Sequence, residues 1–147
     1  MMLRIYSRDE RAQIYRELLQ GYGGEAGAPI AFKFVDYFAG EGLMPLHRVD
    51  GEAVWRDGQF VVMVRKGLPI ETELRTLAHE LAHVLCGDVA RREQTPQEIY
   101  DSNQMYAAWA NRTARPESAQ RVQAQESKAD TRGAQILKEW ERAGITA

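Results

Sequence analysis

The sequence is poor in cysteine and contains no long apolar run. Its single cysteine, Cys86, excludes an internal disulfide bond and is typical of a protein kept in a reducing compartment. No segment approaches the roughly 20 apolar residues that a membrane-spanning helix needs. The first residues lead directly into charged side chains, without the apolar core of a secretory signal. We therefore expect a soluble, cytoplasmic protein.

Neither sign of charge is in clear excess. The 19 Lys and Arg side chains stand against 21 Asp and Glu side chains, which gives a formal net charge of −2. Because a basic surface and a basic–aromatic motif are both missing, we expect no direct binding to nucleic acid, and no membrane partner. A length of 147 residues, with 44% hydrophobic residues, suits one domain with a real core. The prediction is a single domain over residues 1 to 147.

Four segments have the residue pattern of helices. The first follows a capping box that begins at Ser7 and should stop at Gly21. The second runs from residue 69 to residue 87, where a glycine is suited to the position after a helix end. The third begins at "TPQE", with Thr95 as its N-cap, and the fourth runs from 116 to about 144.

Strand patterns lie between the first helix and the second. The segment "GYGGEAGAP" has the composition of a loop, and residues 30 to 38 have aromatic and β-branched character. Asp57-Gly58 suits a tight hairpin turn between strands at 52 to 56 and 59 to 65. The predicted order is a helix, a short antiparallel sheet and three further helices, which is an α+β fold.

The stretch "ELRTLAHELAHVLCGD" carries two histidines four residues apart. On a helix, His79 and His83 lie within about 40° of each other, opposite the apolar stripe, and Glu80 lies roughly 80° away from them. Such spacing lets both imidazoles reach one ion, with the glutamate close to a metal-bound water. The pattern favours two zinc ligands plus a general base, Glu80. The competing interpretation is two solvated histidines on an amphipathic helix.

A catalytic zinc site needs a third protein ligand. No histidine follows His83, and Asp88 would reach the metal only if the chain reversed sharply after the helix. Cys86 shares the histidine face, but it lies about 10.5 Å along the axis from the first histidine, so we expect a small buried thiol there. His47 we leave outside the metal shell, because a histidine on a sheet edge is more often exposed or hydrogen-bonded.

The last helix supplies a better candidate. Glu126 falls inside its apolar stripe, and Asp130 lies at the edge of that stripe one turn later. A core-facing carboxylate needs a cation, which is either a buried Arg or Lys or the zinc held by His79 and His83. Asp130 could then accept a hydrogen bond from the outer nitrogen of a ligand histidine. Gly133 on the same face would let two helices approach closely.

Two motifs carry a family resemblance: "HELAH" at 79–83 and "ESKAD" at 126–130. They resemble the gluzincins, in which the glutamate of E-x-x-x-D is the third zinc ligand and the aspartate supports a ligand histidine. The segment "TLAHELAHVL", which follows a compact hairpin, more closely resembles the ImmA/IrrE metallo-endopeptidases. The similarity of the chain to that family covers about residues 50 to 140. Members of that family are intracellular bacterial or phage proteases that act on, or regulate, transcriptional repressors. The resemblance implies a small zincin-like domain, one Zn²⁺ per chain and a protein substrate such as a DNA-binding repressor.

Several alternatives stay open from the sequence. The main expectation is a zinc endopeptidase, and the alternative is a catalytically weak zincin-fold protein that sequesters a regulatory partner. A third alternative is a metal-free structural domain with an ordinary ion pair at Glu126. The oxyanion stabiliser could be Tyr100, Tyr106 or His47, and the strand at 59–65 could pair with an extended substrate. Zinc is not distinguished from manganese or iron, and the oligomeric state stays open.

Overall fold

A three-stranded sheet and the helices packed on it make up residues 1–36 and 50–147, the part of the chain described by a computed structural model. The mixture of helix and strand confirms the predicted α+β class. Among the described residues, no helix has the length and apolar character needed to cross a bilayer. A 3₁₀ turn at Leu3–Ile5 is followed by α1 (Arg8–Gln20), α2 (Gly23–Ala26), β1 (Ile30–Val35), β2 (Gly51–Arg56), β3 (Gln59–Arg65), α3 (Ile70–Leu85), α4 (Pro96–Ala110) and α5 (Pro116–Arg142).

Both predicted capping boxes are present. The Ser7 hydroxyl accepts a hydrogen bond from the Glu10 amide at 3.1 Å, and the Thr95 hydroxyl accepts one from the Glu98 amide at 3.2 Å. These bonds satisfy amide groups that have no partner within the helix, which explains why α1 and α4 begin where they do. The prediction of a plain loop after α1 was wrong, because α2 forms one helical turn within that glycine-rich segment.

The sheet is mixed, which corrects the prediction that it is antiparallel. The hairpin of β2 and β3 is antiparallel as expected, with positive φ angles at Asp57 (53°) and Gly58 (78°). However, β1 pairs in parallel with the other edge of β3, so the strand order is β1-β3-β2. The physical reason lies in β3, whose five consecutive buried residues suit an interior strand covered on both faces: Phe60, Val61, Val62, Met63 and Val64.

This topology overturns a second expectation. Since both edges of β3 are already paired, the segment 59–65 has no edge that could bind an extended substrate. The strand predicted over 30–38 ends at Val35, and its last two residues lie outside the described residues, as does His47.

The helix α3 is buried on two sides. One side packs on β2 and β3, and the side that carries the two histidines is covered by α5. Gly133 permits this contact, because a Cβ atom built on it would lie only 3.4 Å from the Cα of His79. The close approach expected at Gly133 is therefore confirmed, and it brings α5 directly over the first motif.

A buried ion pair, which the sequence analysis did not predict, connects the start of α3 to α1. The Glu73 side chain is 1% exposed, and its carboxylate accepts hydrogen bonds from Arg11 at 2.8 and 3.1 Å. The Tyr15 hydroxyl donates a further hydrogen bond to it. With these partners the buried charge is satisfied, so the pair fixes the first turn of α3 against α1.

Replacing Glu73 by Ala should lower the free energy of unfolding by about 3 to 5 kcal/mol, because Arg11 would stay buried without its partner. Urea denaturation of the metal-free protein measures this. The control is Glu71→Ala, an exposed glutamate in the same helical turn, which should change stability by less than about 1 kcal/mol. Equal effects of the two substitutions would contradict the anchoring role of Glu73.

Candidate metal centre

Three predicted ligand residues meet between α3 and α5. The Nε2 atoms of His79 and His83 lie 3.1 Å apart. The two carboxylate oxygens of Glu126 lie 2.9 Å from Nε2 of His79 and 3.2 Å from Nε2 of His83. Among the described residues, these three form a group whose ligand atoms lie close enough together to hold one metal ion. Their convergence is the geometry that the sequence predicted.

Each histidine also contacts a carboxylate through Nδ1, the ring nitrogen that does not face Glu126. Nδ1 of His79 lies 3.0 Å from Asp130, the contact that the sequence anticipated. Nδ1 of His83 lies 2.8 Å from Asp88. A carboxylate at Nδ1 favours the tautomer with hydrogen on Nδ1, which leaves the lone pair of Nε2 pointing into the shared space.

This arrangement brings three groups that can bind a metal ion to one point. With hydrogen on both Nδ1 atoms, the Nε2 atoms of His79 and His83 and the carboxylate of Glu126 are all hydrogen-bond acceptors. Acceptors at such distances repel one another unless positive charge lies between them. A tetrahedral zinc with bonds of about 2.0 to 2.1 Å places its ligands roughly 3.3 Å apart. The observed spacings of 2.9, 3.1 and 3.2 Å are compatible with such an ion, and also with hydrogen bonds from protonated histidines.

Protons supply this positive charge in the metal-free chain. Burial acts to lower the pKa of His83, but the hydrogen bond to Glu126 and the charge of Glu80 raise that pKa to about 9. The hydrogen bond to Glu126 also raises the pKa of His79. Burial acts to raise the pKa of the Glu126 carboxyl, but the hydrogen bonds to His79 and His83 lower that pKa to about 2. A metal ion that binds here at neutral pH must therefore displace the proton of His83.

Glu80 lies beside the ligands without being one of them. Desolvation raises the pKa of its carboxyl to about 7, although the charges of His83 and His79 act to lower it. A Cβ atom built on Gly51 of β2 would lie 2.6 Å from Cγ2 of Thr76 and 2.9 Å from Cγ of Glu80. Only a glycine at the start of β2 leaves room for the stem of the Glu80 side chain.

Two residues near the end of α3 differ from expectation. Cys86 is exposed, not buried, because it is the C-cap of the helix and lies past its last turn. Asp88 was set aside because reaching the site required a sharp reversal of the chain. That reversal occurs, and it brings Asp88 to the outer nitrogen of His83 and not to the ligand side.

Glu126 does form ion pairs, but not with the buried Arg or Lys that was the alternative to a metal ion. Its ion-pair partners among the described residues are the two histidines, with neither Arg nor Lys among them.

The two tyrosines considered as oxyanion stabiliser differ in exposure, and the third candidate, His47, lies outside the described residues. Tyr100 is 42% exposed, whereas Tyr106 is half-buried and its hydroxyl donates to Gln125 at 3.4 Å. Burial, with smaller effects from the charges of nearby carboxylates including Glu126, raises the pKa of Tyr106 to about 12. Tyr106 therefore keeps its proton at neutral pH.

The chain matches no protein-family model, no curated protein and no solved structure. The resemblance to the ImmA/IrrE family stays a prediction, and the roles of the site residues depend on the geometry given above.

Zinc binding should release about one proton or more per chain near pH 7 and progressively less above about pH 9. The ligands must be unprotonated to bind metal, and His83, with a pKa of about 9, carries a proton at neutral pH. Affinity should therefore rise with pH until the pKa of His83 is passed. Isothermal titration calorimetry in buffers of different ionisation enthalpy counts the released protons. Zinc binding without proton release near pH 7 would contradict this electrostatic description.

Proposed function

We propose that the chain is a zinc-dependent endopeptidase that hydrolyses a peptide bond in a protein substrate. The observation that carries the proposal is the convergence of His79, His83 and Glu126 beside a glutamate, Glu80, that is not itself a ligand. A purely structural metal site would have no use for Glu80, and such sites usually have four protein ligands.

The ligand set leaves a position for water and substrate. Zinc held by three protein ligands would polarise a peptide carbonyl and bring the pKa of a water molecule to about 7. Glu80 is a suitable base for that task, since burial raises the pKa of its carboxyl to about 7 in the metal-free chain and it lies beside the three ligands. In the proposed reaction, Glu80 takes the proton of the attacking water and passes it to the leaving amine. Tyr106 is the proposed donor to the carbonyl oxygen.

The position of β2 suggests how a substrate would lie. Gly51 on this strand packs against the stem of Glu80. A substrate that lay along this end of β2 would therefore pass close to Glu80. The resemblance to the ImmA/IrrE proteases supports a cytoplasmic regulator, such as a DNA-binding repressor, as the substrate.

Glu80→Gln should retain zinc and lose activity by about 10² to 10⁴-fold, because glutamine keeps the shape of the side chain but cannot carry the proton. The zinc-loaded protein would be incubated with a library of unstructured peptides, and new peptide ends would be counted by mass spectrometry. Metal content would be measured on the same samples.

Glu71→Gln is the matched control, since Glu71 is an exposed glutamate on the same helix and should leave cleavage unchanged. Cleavage by Glu80→Gln at the rate of the parent would remove Glu80 from the mechanism.

Gly51→Ala should lower the rate of cleavage by about tenfold or more while zinc is retained. The added methyl group would displace Glu80 or Thr76, and a shift of about 1 Å in a reacting group can cost 10²-fold. Gly24→Ala is the control, because a Cβ atom at Gly24 meets nothing within 4 Å. Full activity of Gly51→Ala would show that the contact with β2 does not position Glu80.

A further inference from the structure

The chain reverses direction at the end of α3 in a Schellman motif. The amide of Gly87 donates to the carbonyl of Val84 at 3.2 Å, and the amide of Asp88 donates to the carbonyl of His83 at 3.0 Å. Gly87 has a φ of 79°, the left-handed conformation that this motif requires and that glycine adopts without strain. The motif therefore places Asp88 directly beside His83.

The side chain of Asp88 makes a second bond to the same residue. Its Oδ2 atom lies 2.8 Å from Nδ1 of His83, so backbone and side chain together connect the two residues. The contact is on the side of the imidazole opposite to Nε2, which faces His79 and Glu126. Asp88 is therefore placed to act on the metal through His83 and not as a ligand.

The two carboxylates behind the histidines differ in exposure. The side chain of Asp88 is 16% exposed, whereas that of Asp130 is 73% exposed. A charge-assisted hydrogen bond is stronger where water is excluded, since water both screens the charge and competes for the donor. The bond from His83 to Asp88 should accordingly be the stronger of the two.

We propose that Asp88 is a positioning residue that fixes the orientation and tautomer of His83 for metal binding, and that it contributes more to zinc affinity than Asp130. The proposal rests on the metal site of the proposed function but not on peptidase activity. Asp88 thereby connects the end of α3 to the metal centre, because the turn at Gly87 brings its side chain to His83. Neither of the two quoted motifs contains this residue.

Zinc affinity, measured by competition with a chelator, tests the proposal on the full chain. Asp88→Ala should weaken zinc binding by about 10 to 100-fold, the usual effect of losing a partner of a ligand histidine. Asp88→Asn should recover much of that loss, because its amide oxygen still accepts from Nδ1. Asp130→Ala should lose less affinity than Asp88→Ala. The exposed Glu93 supplies the control, and Glu93→Ala should bind zinc like the parent.

A spectroscopic readout separates positioning from folding. In the zinc-loaded parent, the Nδ1 proton of His83 should give a slowly exchanging, downfield NMR signal that Asp88→Ala loses and Asp88→Asn keeps. Metal-free Asp88→Ala should lose some stability with its bond to His83 but should keep the parent's far-UV circular dichroism, because the Schellman bonds use only the backbone of Asp88.

Zinc affinity and peptide cleavage together decide which of the two proposals holds. Zinc affinity of Asp88→Ala within about twofold of the parent would overturn the proposal, as would equal losses in the Ala and Asn variants. A parent that binds no zinc would overturn it together with the proposed function. A parent that binds zinc with the expected order of affinities but cleaves no peptide would support the role of Asp88 and contradict only the peptidase.

Discussion

The close contact between α3 and α5 is the constraint on which the rest of the site depends. Gly133 brings the backbone of α5 to within van der Waals distance of His79, and Glu126 then meets the Nε2 atoms of both histidines. Three acceptors this close together repel one another unless a proton or a metal ion lies between them. In the metal-free chain, protonated histidines paired with Glu126 meet this condition, and a bound metal ion would meet it in their place.

The surroundings of α3 hold the helix at three places. Glu73 at its start is bonded to Arg11 of α1, the apolar side packs on the sheet, and the Schellman turn at its end carries Asp88 back to His83. These contacts limit rotation of the helix about its axis and rotation of the ligand rings. Rigid support of this kind is what metal ligands need, because small displacements of a ligand weaken both binding and catalysis.

The sequence predicted those features that follow from helical periodicity. The wheel placed His79 and His83 on one face and Glu126 inside the stripe of α5, so their meeting could be foreseen, as could the contact with Asp130. Features that depend on pairing distant segments were missed. The parallel addition of β1 is one, although the unbroken apolar run of β3 was a signal for an interior strand. The contact of Asp88 with His83 is local but was also missed, because Asp88 follows the helix end, where helical periodicity no longer predicts the position of a side chain.

The proposed chemistry depends on the binding of one zinc ion by His79, His83 and Glu126. The most direct test is the metal content per chain, by mass spectrometry, of natively purified protein and of Glu126→Ala. About one zinc is expected in the parent and much less in the variant. No metal in the parent, even after zinc is added back, would contradict it and remove the basis for an enzyme.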